Sequence, residues 1–365
     1  MTHRPFGRMF MTPLIPYRRG DTHTIDEEGY RRFLRVFLTD ANLEAGLAVI
    51  ANPEAGEIFY LSREEKRRVV EITMEEVAGR APVLAGALDV TTAGTVQVAK
   101  DAAELGVDGL FVFPAIGAQD VAVAWDADRY PEVMTDMFTA IAREVDLPMV
   151  VHPVATPSIR YGIGLSAGAT RYVCEQVPNI VGWKMTYNYN GFREIARVLR
   201  SLDRQVEILA ALAMFFHENL ANGQFDGTSS GAWNYAPEPM MEHILAWRTG
   251  DVSRAIEIWT GGLAQLHEYV FAEMSRLHVR YKAAAWLRGF IDNPLMRPPM
   301  PRPRPAEIAT LYELLRALDL STIERADVDL FTEQLAGAVP TPEDAPSGQA
   351  NGGRAGALAG GRPAA

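Results

Sequence analysis

The sequence predicts an α/β fold, a (β/α)8 TIM barrel with a C-terminal helical extension. Two observations carry this prediction: eight short apolar segments recur up to residue 232, and segments with helical patterning separate them. Alternating strand and helix patterns form either a closed α/β barrel or a large open doubly wound sheet. No GxGxxG or GxxxxGKS/T motif follows any of the eight segments, which removes support for a nucleotide-binding open sheet.

The predicted strands are short and apolar over most of their length, which is typical of parallel strands buried on both faces. In chain order they are Met9–Ile15, Gly46–Ala51, Pro82–Leu88, Gly109–Pro114, Pro148–His152, Ile180–Met185, Glu207–Leu212 and Gly227–Ala232. In α/β barrels the reactive groups come from the C-terminal ends of the strands and from the loops that follow them. These ends are therefore where catalytic side chains are expected.

Helical patterns fill the intervals between the strands. Ser62 and Glu65 make a capping-box signature, which predicts a helix from Ser62 to about Ala78 that Gly79 ends. The same reasoning predicts further helices at Thr91–Leu105, Asp128–Val145, Ser166–Gln176, Gly191–Ser201 and Met214–Asn222.

The pattern becomes mostly helical after the eighth strand. We predict a barrel over residues 1–236 and a C-terminal helical domain over residues 237–320. The helices of that domain are expected at Pro239–Thr249, Val252–Glu273, Arg276–Phe290 and Pro305–Leu318. Residues 338–365 are rich in Gly, Ala and Pro and have no apolar periodicity, which predicts disorder.

Composition excludes several classes of protein. The net charge of −11 argues against a nucleic-acid binder, because phosphate neutralisation needs a basic face. The single cysteine, Cys174, allows no intrachain disulfide, and no apolar run approaches the roughly 20 residues needed to cross a bilayer. We expect a cytoplasmic protein without membrane or nucleic-acid partners.

Lysine is scarce, since four of the 35 basic residues are lysine. Lys184 closes an apolar predicted strand, whereas Lys66, Lys100 and Lys282 lie in polar helical stretches and are interpreted as solvated charges. A lysine in a barrel interior must be paired or must lose its proton. A neutral amine can attack a ketone to give an imine, whereas a lysine paired with a carboxylate is structural. Position alone leaves both interpretations of Lys184 open.

Two further groups at strand ends are candidates for proton transfer. His152 ends the fifth predicted strand, and an imidazole titrates near neutral pH, although it can equally hydrogen-bond a loop. Glu54 lies in the loop after the second strand, where the backbone N–H groups of Ala55 and Gly56 can hold a carboxylate. Glu57, in the same loop, is more typical of a structural anchor.

Two polar residues are candidates for substrate binding. Arg160 follows His152 in a loop, and its guanidinium suits a carboxylate, although most loop arginines are solvated. Thr186 lies two residues after Lys184 and can place a hydroxyl beside the substrate or cap the strand end. The histidines are scattered along the sequence and indicate no metal cluster, so no metal and no cofactor is predicted.

Taken together, these segments resemble the dihydrodipicolinate synthase / N-acetylneuraminate lyase superfamily from about Arg8 to Leu318. The matching pieces are Thr12-Pro13, Ile25-Asp26, Gly56-Glu57 (the end of the family's GTTGE loop), Leu61-Ser62, Gly79–Val83, Ala85-Gly86, Gly182-Trp183-Lys184 (the family's G-x-K) and Gly227 to Pro237. The resemblance implies a (β/α)8 barrel, a homo-oligomer, usually a tetramer, and Schiff-base chemistry of Lys184 on pyruvate or a related 2-oxo acid. It also places Ser230, on the last barrel strand, among the substrate contacts.

The departures from the family pattern bear on the reaction. The two threonines of GTTGE fall near Glu54 and Ala55, and the tyrosine expected after the fifth strand is replaced by His152. The family's Pro-Tyr-Tyr after the fourth strand is Pro114-Ala115-Ile116. The hydroxyl relay of dihydrodipicolinate synthase is thus missing, and we expect a different reaction. Thr186 resembles the K-x-T arrangement of the lyase and sugar-acid branches.

The sequence therefore predicts a class I aldolase-type lyase that acts on a 2-oxo acid with an aldehyde partner. Ile116, together with Ala115 and Trp183, indicates a less polar second substrate, such as an aromatic or aliphatic aldehyde. Three alternatives stay open at this point. They are a 2-keto-3-deoxy acid dehydratase that uses the same imine, a non-catalytic 2-oxo-acid-binding relative, and a cofactor-dependent barrel.

Overall fold

The computed structural model describes residues 8–116 and 126–336. Eight parallel strands close into a barrel in the order β1-β12-β11-β10-β7-β6-β5-β4. These strands are β1 (Met9–Met11), β4 (Leu47–Ala51), β5 (Val83–Ala87), β6 (Gly109–Val112), β7 (Met149–Val151), β10 (Ile180–Met185), β11 (Glu207–Ala210) and β12 (Gly227–Ser230). The predicted barrel is confirmed, and each of these eight barrel strands lies within a predicted segment.

Helices lie between the barrel strands on the outside. They are α1 (Glu27–Phe37), α2 (Asp40–Glu44), α3 (Arg63–Val77), α4 (Thr92–Glu104), α5 (Glu132–Glu144), α6 (Ala167–Gln176), α7 (Tyr189–Arg200) and α8 (Phe216–Ala221). The capping box at the start of α3 is present, with both the Ser62 and the Glu65 side chain bonded to backbone. Helix α5 begins at Glu132 rather than at Asp128, because residues 126–130 form a turn held by the Asp126 carbonyl.

Two antiparallel hairpins were not predicted. Strands β2 (Tyr17–Arg18) and β3 (Asp21–Ile25) precede α1, and β8 (Val154–Ser158) and β9 (Gly162–Gly164) follow the fifth barrel strand. Gly164 allows the second hairpin to lie against the barrel, since a Cβ there would be 2.2 Å from the Tyr187 ring. This hairpin therefore follows β7 and packs against Tyr187, two residues beyond the end of β10.

The chain after the last barrel strand is helical, as the sequence predicts. Its helices are α9 (Pro237–Thr249), α10 (Val252–Ile258), a π-helical turn (Trp259–Leu263), α11 (Ala264–Phe271), α12 (Leu277–Leu287), α13 (Pro305–Ala317) and α14 (Arg325–Ala336). Helix α14 lies beyond the predicted end of the helical domain at residue 320. The division at residue 236 stays a prediction, and the predicted disorder over residues 338–365 lies outside the described residues.

Side chains alternate between the barrel interior and the surrounding helices. An interior cluster fills the barrel with Phe10, Ala48, Ile50, Ile58, Leu84, Leu88, Phe111, Phe113, Val150 and Leu209. On β10, Gly182 and Lys184 share the interior face because side chains alternate along a strand. A Cβ on Gly182 would lie 3.0 Å from Val150, so this glycine leaves room for the interior cluster beneath Lys184.

Two of the lysines interpreted as solvated are buried, which corrects that interpretation. Lys66 donates to the Leu88 carbonyl at 2.8 Å, and Lys282 is fully buried against Glu57 at 2.7 Å. Helix α12 is buried on nearly every side, so its polar residues do not mark a solvent-exposed face. Lys100 has a partly exposed side chain, as expected for a solvated charge, and is paired with Glu144.

Candidate active site

Lys184 and Glu54 form the centre of a cavity at the C-terminal end of the barrel. The cavity volume is about 240 Å³. Lys184 Nζ contacts Glu54 Oε1, and His152 Nε2 lies 3.6 Å from the same oxygen. Strand β10 positions Lys184, β7 positions His152 immediately after its last residue, and the loop after β4 positions Glu54. The structure thus brings together the three residues predicted to be catalytic.

Burial changes the acid–base properties of this cluster. Lys184 is 3% exposed, and desolvation lowers the pKa of its ammonium well below the ordinary value. Burial, with a contribution from His278, lowers the pKa of His152 to about 3. Proton transfer by His152 stays a prediction, but burial beside Phe111 and Phe113 moves the pKa of the imidazole below its ordinary near-neutral value. His152 is neutral at pH 7.

The turn that holds Glu54 is fixed by a buried ion pair. Residues 54–56 form one 3-10 turn, and Glu57, which follows in a left-handed conformation, accepts from Lys282 Nζ at 2.7 Å and from the Arg297 N–H at 2.8 Å. Glu57 therefore has the structural anchoring contacts that its loop position indicated. This anchor links the barrel to helix α12.

The predicted carboxylate-binding groups are only partly directed at the cavity. Ala55 is buried in the core, and the Gly56 N–H donates to the Pro53 carbonyl at 3.1 Å, so that amide is already occupied. Arg160 is not brought to the cavity. It lies at the exposed end of the β8–β9 hairpin, where its guanidinium binds Glu194 at 2.7 Å.

Hydroxyl groups line the inner end of the cavity instead. Thr186 and Ser230 both line it, as predicted, and so does Ser229, which sequence reasoning missed. Ser230 Oγ donates to the Ala211 carbonyl at 2.8 Å. Within the described part of the chain, four buried atoms around Lys184 have no hydrogen-bond partner: Glu54 Oε2, His152 Nδ1, Thr186 Oγ1 and Ser229 Oγ. Buried polar atoms of this kind are normally satisfied, so they mark where a polar ligand would bind.

The apolar residues that suggested a less polar substrate lie elsewhere. Trp183 points away from the barrel interior and donates from Nε1 to the Tyr187 hydroxyl at 3.0 Å. Ile116 packs against the interior cluster and Ala115 against the outer core, and neither lines the cavity. That inference therefore rested on residues that do not face the cavity.

Helices of the C-terminal part supply one wall of the cavity. Phe271, Met274, Leu277, His278 and Tyr281 all line it. A Cβ on Gly231, just after β12, would lie 2.3 Å from the Tyr281 ring, so glycine at this position allows α12 to approach the barrel. No local sequence signal identifies His278, because its position depends on how α12 packs. Among the described residues no cluster of His, Cys, Asp and Glu is arranged to hold a metal ion.

Comparison with known proteins identifies the family of this chain. Residues 5–317 match the model of the dihydrodipicolinate synthetase family. The chain belongs to this family. Among family relatives, 4-hydroxy-tetrahydrodipicolinate synthase of Methanopyrus kandleri is 31% identical over 302 residues, covering 82% of this chain and 92% of that protein. An uncharacterised DapA-like lyase of Thermofilum pendens is 28% identical and covers 61% of this chain and 70% of that protein.

Solved structures of the dihydrodipicolinate synthetase family have the same fold. Dihydrodipicolinate synthase from Aquifex aeolicus superposes with a TM-score of 0.72 at 23% identity, covering 87% of this chain and all of that one. A prophage protein of the same family from E. coli K12, solved in complex with pyruvate, gives 0.72 at 19% identity, with 87% and 99% coverage. No helix among the described residues is long and apolar enough to span a membrane.

Proposed function

We propose that this protein is a class I aldolase-type lyase whose Lys184 forms a Schiff base with pyruvate or a related 2-oxo acid. The observation that carries the proposal is the contact between the buried Lys184 amine and the Glu54 carboxylate at the inner end of the cavity. A nucleophilic lysine must be deprotonated, and desolvation favours the neutral amine. Membership of a family that contains lyases supports the same conclusion.

Glu54 is the group that moves protons in this proposal. It takes a proton from Lys184, and the free amine then attacks the ketone carbon. One proton of the attacking nitrogen passes to the ketone oxygen, which gives a neutral carbinolamine. Glu54 returns the proton to the carbinolamine hydroxyl, water leaves, and the iminium forms. His152 stays neutral because of its low pKa, so it hydrogen-bonds the reacting groups rather than storing a proton.

Cleavage of a 4-hydroxy-2-oxo acid follows from the same arrangement. Glu54 accepts the proton of the 4-hydroxyl, the C3–C4 bond breaks, and its electron pair enters the iminium to give an enamine. The aldehyde leaves, Glu54 protonates C3, and water hydrolyses the imine to release pyruvate and free Lys184. The unpartnered hydroxyls of Thr186 and Ser229 are our candidates for holding the substrate carboxylate.

Borohydride trapping tests the proposal. The protein is incubated with pyruvate and sodium borohydride, and the adduct is mapped by peptide mass spectrometry. We expect a reduced adduct on Lys184 of the wild-type protein and no adduct in Lys184→Ala. Lys100→Ala is the control and should keep the adduct, because Lys100 is paired with Glu144 and does not line the cavity. Absence of an adduct with pyruvate and with longer 2-oxo acids would overturn the proposal.

Two related measurements define the reaction further. Glu54→Gln should slow adduct formation by about 100-fold, since general acid–base groups typically contribute 10²–10⁴. Release of pyruvate from a 4-hydroxy-2-oxo acid distinguishes cleavage from dehydration. The homo-oligomer implied by the family resemblance stays a prediction, which light scattering on the purified protein checks.

A further inference from the structure

The cavity has a polar inner end and an apolar outer part. Lys184, Glu54, His152 and the two unpartnered hydroxyls lie at the inner end. We call the apolar side of the lining the outer part, because Phe59 and Met274 are 45% and 40% exposed whereas Lys184 is 3% exposed. The outer part consists of Phe59, Val154, Ile163, Leu212, Phe271, Met274 and Leu277. This arrangement separates a site for the reacting 2-oxo acid from a site for the rest of the substrate.

No cation in the described residues is available for a charged group in the outer part. The cavity lining contains no arginine, and its one lysine is Lys184. His278 is held neutral, because burial and the nearby Lys184 lower its pKa to about 4. The sequence of residues 117–125, GAQDVAVAW, contains no lysine, arginine or histidine. A phosphate or second carboxylate in the outer part would therefore be desolvated without a partner, which is strongly unfavourable.

The shape and chemistry of the outer part favour an aromatic ring. Phe59 is packed edge-on against Phe113, with ring centroids 5.8 Å apart, so its ring is held at the cavity entrance. Phe271 and the thioether of Met274 lie on the opposing helical wall. Aromatic pairs and sulfur–aromatic contacts stabilise a bound ring beyond the area it buries. A volume of about 240 Å³ is below the roughly 300 Å³ typical of drug-sized ligands, so the cavity suits a single ring.

We propose that the second substrate is an uncharged aromatic aldehyde, selected by Phe59, Phe271 and Met274. This inference rests on the Schiff-base function proposed above. In the forward direction the Lys184 enamine of pyruvate attacks the aldehyde carbon, and a new bond joins pyruvate C3 to that carbon. The proton that C3 loses when the enamine forms balances the proton that the aldehyde oxygen gains. Water then hydrolyses the iminium, which releases a 4-aryl-4-hydroxy-2-oxo acid and regenerates Lys184. No further reactant is needed.

The test compares aldehydes with pyruvate held constant. The probes are benzaldehyde, isobutyraldehyde, succinic semialdehyde and glyceraldehyde 3-phosphate, and product formation gives kcat/KM for each. We expect benzaldehyde to exceed each of the others by at least about tenfold, the lower range for discrimination by an apolar pocket. A preference for either anionic aldehyde, or for isobutyraldehyde, would overturn the inference.

A charge placed at the entrance sharpens the test. Met274 is 40% exposed, so Met274→Arg should fold, should lower kcat/KM for benzaldehyde and should raise it for succinic semialdehyde. Ile256→Arg is the matched control, because Ile256 is 45% exposed on α10 and does not line the cavity. Equal effects of both variants would contradict a role for Met274 in selection.

Failure of this inference is distinguishable from failure of the proposed function. A borohydride adduct on Lys184 of the wild-type protein combined with a preference for charged aldehydes would overturn this inference alone. Absence of any adduct would overturn the proposed function and this inference with it.

Discussion

Replacing Lys282 by Met should destabilise the protein far more than replacing any exposed lysine. Lys282 is fully buried, its only carboxylate within ion-pair distance among the described residues is Glu57, and the two groups are 2.7 Å apart. Removing the ammonium leaves the Glu57 carboxylate, 1% exposed, beside uncharged donors, the Arg297 N–H at 2.8 Å and the neighbouring Tyr17 hydroxyl. Breaking a buried ion pair in this way typically costs about 3–5 kcal/mol.

Glu57→Gln should cost less than Lys282→Met. An amide can still accept the Arg297 N–H, and desolvation already lowers the pKa of Lys282, so the unpaired amine can lose its proton. In the double variant neither charge is left unpaired. Its free energy of unfolding should therefore exceed the value expected from adding the two single effects by about 2 kcal/mol or more.

Equilibrium unfolding in urea measures these differences. Lys100→Met is the matched control, because Lys100 and Glu144 form an exposed pair at 2.9 Å, for which a contribution of about 0–1 kcal/mol is expected. If Lys282→Met lowered the free energy of unfolding by no more than the Lys100 control does, the reasoning about this buried pair would be refuted.

Two further predictions follow from buried groups. Burial lowers the pKa of His267 to about 3, so the imidazole binds a proton more readily in the unfolded state and the free energy of unfolding falls as pH drops from about 6.5 towards 3. His267→Asn, which also loses the bond to the Tyr235 hydroxyl, should reduce the slope of the free energy of unfolding against pH by up to about 1.4 kcal/mol per pH unit, measured by urea unfolding at several pH values. An unchanged slope would contradict the lowered pKa of His267. Gly231→Ala should lower both kcat/KM and the melting temperature, because the new Cβ would lie 2.3 Å from the Tyr281 ring. Gly261→Ala is the control and should change neither quantity, because a Cβ there has no neighbouring atom within 4 Å. Equal effects of the two variants would contradict the role given to Gly231.

The barrel could be predicted from the sequence because its signals are local. The strand Ile180–Met185 was predicted with the bounds that the structure has, since Lys184 is the one charged residue in an otherwise apolar run of six. The start of α3 could also be predicted, because the capping box that begins with Ser62 is a local sequence signal. The β8–β9 hairpin was missed because its strands are short and mix apolar residues with Thr, Ser, Pro and Gly, so no regular apolar alternation marks them.

The rest of the site depends on contacts between distant parts of the chain. Lys282 pairs with a residue 225 positions away, and no property of the helix around it indicates that its charge is buried. His278 and Met274 reach the cavity only because α12 approaches the barrel. Lys184, Glu54 and His152 were found because strand ends in a barrel converge at one rim, which is a rule of the fold rather than of local sequence.

The two walls of the cavity are encoded in separate stretches of the chain. Lys184, Glu54 and His152 belong to strands and loops before residue 190, whereas the wall formed by Phe271, Met274 and Leu277 belongs to a later, helical stretch. Mutation can therefore change the size and polarity of the outer part without altering the position of the nucleophile. In evolution and in directed engineering, the preference for one aldehyde over another can thus drift while the bond-breaking step is retained, provided that position 231 keeps its glycine.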